Sequence, residues 1–273
     1  MFKSILENVQ KTSPLIHNIT NYVTVNDVAN VILACGASPI MADDSEEVED
    51  ITSICSALNI NIGTLNKNTI KSMLLAGKKA NELNHPVVLD PVGVGASSLR
   101  NNTAKELLEN IKFDVIRGNI SEIKFLATGI GSGKGVDAGI DDVVSEENLD
   151  SIVEFVKSFS KKTESVIAIT GAIDLISDSE KCFVIRNGRA EMGKITGTGC
   201  QLSGLITSFV AANQDNILEA TAAAVATMGL SGEIGWANMK QTDGNSTYRN
   251  RIIDAIYNMS GEKLEEGAKF EIK

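Results

Sequence analysis

Pro86-Val87-Val88-Leu89-Asp90-Pro91-Val92-Gly93-Val94-Gly95-Ala96 is an apolar run that ends on an acid and breaks into a glycine loop. A strand that is apolar throughout, without alternation, is buried on both faces, as in a parallel sheet covered by helices on each side. The pattern recurs on either side. Upstream, 59–63 reads as a strand, followed by a helix that Asn66 caps and that runs to about Leu83. Downstream, a helix of about 101–110 precedes the strand 113–118, and a helix of about 146–159 precedes the strand 165–171. This alternation predicts an α/β fold with a mostly parallel central sheet flanked by helices, in one domain over 1–273.

The ends of the chain continue the rhythm. Residues 2–11 read as an amphipathic helix closed by Pro14, and 15–24 as a strand running into a polar turn. A helix from about Asn21 to Ala34 stops at Gly36, and 38–42 is a further strand, after which Asp43, Asp44 and Ser45 can cap a helix. Beyond 171, the strands 174–177 and 182–186 form a hairpin, and Asn187-Gly188 is a turn signal of the primed hairpin type. Helices over about 200–212, 217–236 and 246–259 complete the chain.

A net charge of −10 argues against nucleic acid or an anionic membrane as partner. Cys35, Cys55, Cys182 and Cys200 are scattered, as free thiols in a reducing compartment are. The N-terminal residues are too polar for a signal peptide, and no uninterrupted apolar run approaches the ~20 residues of a membrane helix, so a cytoplasmic protein is expected.

In parallel α/β sheets ligands lie beyond the carboxyl ends of the strands. Asp90, Arg117, Asn119 and Glu122 fall there, as do the polar residues around Asn21. Those near Asn21 either line a ligand site or cap a helix. Glu122 has two readings as well: with Asn119 it outlines a capping box, and with Asp90 it offers a hard, oxygen-rich pocket of the kind Mg²⁺ prefers. The second glycine loop, Ile195-Thr196-Gly197-Thr198-Gly199-Cys200, turns straight into a helix. Helix N-terminal amides lack internal partners and carry partial positive charge, so Gly197, Thr198, Gly199 and Cys200 form a candidate anion hole; a tight packed turn is the other reading. By contrast 128–135 only resembles a P-loop: its spacing is short and Gly135 follows Lys134, so a mobile loop is expected there.

With these pieces in place the chain closely resembles the hydroxyethylthiazole kinase family of the ribokinase-like superfamily. The resemblance spans essentially the whole sequence. It is carried by His17-Asn18-Ile19-Thr20-Asn21-Tyr22-Val23, Pro39-Ile40-Met41-Ala42, 89–96, Arg117-Gly118-Asn119-Ile120-Ser121-Glu122 and Gly197-Thr198-Gly199-Cys200. It implies a ribokinase-like three-layer fold and ATP-dependent phosphorylation of a thiazole alcohol in thiamine salvage. It also implies a homotrimer with sites between subunits. By position, Asn21, Val23, Met41 and Gly197 match thiazole-binding residues, and Arg117 and Thr170 match ATP-phosphate contacts. Asp90 and Glu122 match the Mg²⁺-associated acids. Cys200 stands where most ribokinase-like kinases carry a catalytic Asp, and hydroxyethylthiazole kinases resemble this chain in having Cys. Two segments depart from the family pattern: 178–180, where relatives often turn on Asp-Gly, and 245–248. A hydroxymethylpyrimidine kinase would predict Asp at position 200. A non-catalytic binder of thiazole or nucleotide is the other alternative, while a dinucleotide oxidoreductase lacks G-x-G-x-x-G after the first strand.

Overall fold

The computed structural model describes residues 1–129 and 143–273. One nine-stranded sheet organises them, in the order β2-β1-β3-β4-β5-β6-β7-β8-β9. Strands β1 (Leu15–Ile19), β2 (Ser38–Met41), β3 (Ala57–Asn61), β4 (Val87–Asp90), β5 (Val115–Gly118) and β6 (Val166–Ile169) are parallel. The antiparallel strands β7 (Asp174–Ser177), β8 (Cys182–Ile185) and β9 (Phe270–Ile272) follow. Order reverses around β1, which has β2 on one side and β3 on the other.

Helices cover both faces. On one, α1 (Phe2–Thr12), α2 (Val25–Ala34), α8 (Thr198–Ala212), α9 (Ile217–Ala237), α10 (Asn245–Tyr257) and α11 (Gly261–Gly267) enclose a core that includes Val31, Leu205, Phe209 and Val225. On the other, α3 (Val48–Ile54), α4 (Lys67–Glu82), α5 (Ser98–Asn110), α6 (Ile120–Gly129) and α7 (Leu149–Thr163) enclose one that includes Met73, Leu107, Ile123 and Val156. The apolar strands thus do bury both faces, in three layers. By length and composition 214–237 could cross a bilayer, yet most of it is buried in the protein as a core helix.

Several expected boundaries move, each for a local reason. The second helix begins at Val25, not Asn21, because Asn21 Oδ1 accepts both the N–H and the hydroxyl of Thr24 and holds 21–24 as a turn. The helix expected at 101–110 begins at Ser98, where the Ser97 hydroxyl accepts the Arg100 N–H. Asn66 caps α4 with Thr69 returning the bond. The strands 174–177 and 182–185 do form a hairpin, closed by Asp178 Oδ1 accepting the Glu180 and Lys181 amides. Asn187-Gly188 does not turn a hairpin, because the next segment is a short 3₁₀ turn, Ala190–Lys194. The sequence reading contains neither α11 nor β9. Of the P-loop-like stretch 128–135, residues 130–135 lie outside the described residues.

Candidate active site

Four strand ends and one helix start converge. Asp90, last residue of β4, is fully buried, and its Oδ2 accepts Asn61 Nδ2 at 2.8 Å and the Ser203 hydroxyl at 2.7 Å. Arg117 of β5 lies 3.6 Å from the same oxygen and donates Nη2 to the Thr170 hydroxyl at 2.6 Å. Burial pushes the Asp90 carboxyl above its usual range, and Arg117 pulls it back. Asp90 Oδ1 and Arg117 Nε are both buried without a protein partner. A coordination or hydrogen-bond site is therefore available on each residue.

The glycine junction sits directly on this pair. A Cβ on Gly199 would come within 2.5 Å of Arg117 Nη1, and one on Gly197 within 2.2 Å of Thr24 Cγ2. Gly197 has φ +83°, which glycine adopts without strain. Cys200 lies in the first turn of α8, where Asn21 Nδ2 donates to its Sγ at 3.1 Å and to Asn61 Oδ1 at 3.1 Å. Burial first, and then the nearby Asp90 carboxylate, push the Cys200 thiol up from its ordinary value. These outweigh the hydrogen bonds from Thr24, Asn21 and Asn61, which lower it, so the thiol form is favoured.

Glu122 satisfies its structural reading in full. Its Oε2 accepts the Asn119 N–H at 2.8 Å while Asn119 Oδ1 accepts the Glu122 N–H at 2.9 Å, a capping box. Its Oε1 accepts the Gly93 N–H at 2.8 Å, tying the loop after β4 to the start of α6. The carboxylate is close enough to Asp90 to raise that residue's pKa. No cluster of three or more His, Cys, Asp or Glu ligands occurs among the described residues. The donor set is two carboxylates, which suits a hard cation that keeps most of its waters.

Beyond Arg117 and Thr170 a cleft of about 530 Å³ opens between the 170–174 turn, the segment 187–193 and the starts of α8 and α9's neighbouring face. Asp174, Asn187, Gly199 and Met228 line it. The expected thiazole residues lie elsewhere. Asn21 is buried against Cys200; Val23 is 60% exposed beside Tyr22 at 77%, and Met41 is half-buried at the end of β2, in register with Asn18. Sequence reasoning missed Asn61, Ser203 and Asp174. Asn61 had a signal: it and Asn59 are polar residues two apart in an otherwise apolar buried strand. Ser203 and Asp174 had none, since serine in a helix and aspartate at a strand start are ordinary.

The model of the hydroxyethylthiazole kinase family matches residues 6–262. A hydroxyethylthiazole kinase of Clostridium acetobutylicum is 62% identical, covering 99% of both chains, and one of Clostridium tetani is 52% identical, covering 98% of this chain and 96% of that one. The solved structure of a hydroxyethylthiazole kinase protein from Pyrococcus horikoshii superposes with a TM-score of 0.88 at 33% identity, covering 100% of this chain and 98% of that one. A pyridoxal kinase from Staphylococcus aureus solved with ADP shares the fold at a TM-score of 0.61 and 16% identity, covering 95% of this chain and 97% of that one.

Proposed function

The chain belongs to the hydroxyethylthiazole kinase family, and from that premise we propose how its cleft performs the phosphorylation of 4-methyl-5-(2-hydroxyethyl)thiazole by ATP in thiamine salvage. The observation that carries the reading is the seat of Gly199 on Arg117, with Arg117 spanning Asp90 and Thr170. Peptide N–H groups at a helix start and a guanidinium then face one point, where the γ-phosphoryl group is bound.

ATP occupies the cleft beside 187–193, with Arg117 and Thr170 on its phosphates. The thiazole lies at Asn21, Val23, Met41 and Gly197. The substrate oxygen attacks the γ-phosphorus in line, the bond to the β–γ bridging oxygen breaks, and ADP leaves. Gly197 to Cys200 hold the charge on the transferring group, the larger part of catalysis in phosphoryl transfer. Asp90 and Glu122 would hold Mg²⁺, through water at Glu122, and the unpartnered Oδ1 of Asp90 fits that use; when bound, the ion supplies charge neutralisation of the phosphates. Cys200 Sγ, as a neutral thiol, places the substrate hydroxyl by accepting its hydrogen bond, and the hydroxyl proton passes to an oxygen of the transferred phosphoryl group, with no phosphocysteine. The exposed Tyr22 and Val23 support a homotrimer in which a neighbouring subunit closes the thiazole side. The four unpaired thiols support a cytoplasmic site of action.

The test is ADP release with and without hydroxyethylthiazole. Release should rise strongly with the alcohol and much less with hydroxymethylpyrimidine. ATP binding with no stimulated release would make the protein a binder.

A further inference from the structure

The segment that walls the ATP cleft is made fast to the last residues of the chain. Arg186 donates its N–H to the Lys269 carbonyl at 2.9 Å. Asn187, buried, then uses its whole carboxamide. Oδ1 accepts the Lys269 N–H at 2.7 Å, while Nδ2 donates to the Gly267 carbonyl at 3.0 Å and to Glu233 Oε1 at 3.2 Å. The same Glu233 oxygen accepts the Gly188 N–H at 3.0 Å, and its other oxygen meets Lys269 Nζ at 2.7 Å. On α9, Gly229 comes so close that a Cβ there would lie 2.7 Å from the Asn187 carbonyl. Asn187, Gly188 and Gly229 all line the cleft, and Gly188 holds φ +120°. One carboxamide thus joins the cleft wall, α9 and the link from α11 to β9.

We infer that Asn187 is a positioning residue for nucleotide binding, and that the segment 267–269 leading into β9 acts through it as a buttress of the cleft wall. The inference rests on the assignment of this cleft to ATP. A wall held by a fully satisfied buried carboxamide is ordered before the ligand arrives. Without the tie, ATP must order it on binding, and affinity falls while the chemistry at Cys200 and Asp90 is untouched.

Steady-state kinetics of point variants of the full chain test this. Asn187→Ala should raise KM for ATP about tenfold, the scale of one lost buried network bond, with kcat and the thiazole KM within about threefold. Lys269→Pro removes the N–H that reaches Oδ1, and Ala268 at φ −70°, ψ 126° already has the conformation required before a proline. It should raise the ATP KM several-fold. Lys269→Met, which keeps that amide and loses only the exposed ammonium contact, should stay within about twofold. Unchanged ATP KM in Asn187→Ala and Lys269→Pro overturns the inference, as does a parallel rise in both KM values with a lowered Tm. Thr170→Ala separates the two levels. If it leaves the ATP KM unchanged, the cleft assignment falls and the inference with it; if it raises that KM while Asn187→Ala does not, only the inference falls.

Discussion

On the side proposed for the nucleotide, β5 and the turn after β6 bring Arg117 and Thr170, α9 brings Met228, and Lys269, just before β9, fastens Asn187 from behind. On the side proposed for the thiazole, Tyr22 is 77% and Val23 60% exposed, next to the buried Asn21. Large apolar side chains rarely stay so exposed as neighbours unless something covers them. The half proposed for ATP is lined by hydrogen-bonded residues of this chain, whereas the half proposed for the thiazole carries this exposed pair, which a neighbouring subunit is proposed to cover.

The sharpest way to break this contrast is Arg117→Ala. It should lower kcat about 10²–10³-fold, the scale of a lost charge-stabilising donor, with the thiazole KM changed only a few-fold in steady-state assays. Equal loss in both parameters would merge the two halves. Val23→Asp should act oppositely. About a tenfold rise in thiazole KM, an unchanged ATP KM and a shift from trimer to smaller species in sedimentation velocity are expected; a trimer with wild-type kinetics would remove the interface reading.

Asp174 sharpens the account of the first half. It lines the cleft proposed for ATP, and its Oδ1 accepts the Gly171 N–H at 2.8 Å. Burial raises its pKa from 3.8 to about 7, against that bond and the Arg117 charge. The folded state then holds a proton that the unfolded chain has released, so this residue's contribution to stability is full below pH 3.8 and falls as pH climbs toward 7. Asp174→Asn keeps the acceptor and removes the titration. Its urea midpoint should gain on the wild type between pH 5 and 7.5, on the order of 1 kcal/mol. A constant difference across that range would mean that the carboxylate is ionised and solvated. The smallest effect is expected at the seam between the halves. Cys200→Asp should keep kcat within about threefold or raise it, because a carboxyl there would be a stronger base with a pKa lifted by Asp90. A folded but inactive variant would show that the thiol itself is required.

What could be read along the chain was whatever depends on near neighbours. Apolar strands such as 87–89 and 115–116, the Asn66 cap and the Asn119–Glu122 box follow from side-chain period and local hydrogen bonding, so the layered fold and the strand-end residues Asp90 and Arg117 were legible. Tertiary structure decided the rest, because it depends on pairings across tens to hundreds of residues that no local pattern encodes. It alone set Gly199 on Arg117 and passed hydrogen bonds from Cys200 through Asn21 and Asn61 to Asp90. The same holds for Phe270–Ile272, too short and too exposed to show a strand's burial pattern, which becomes one only because β8 offers it an edge.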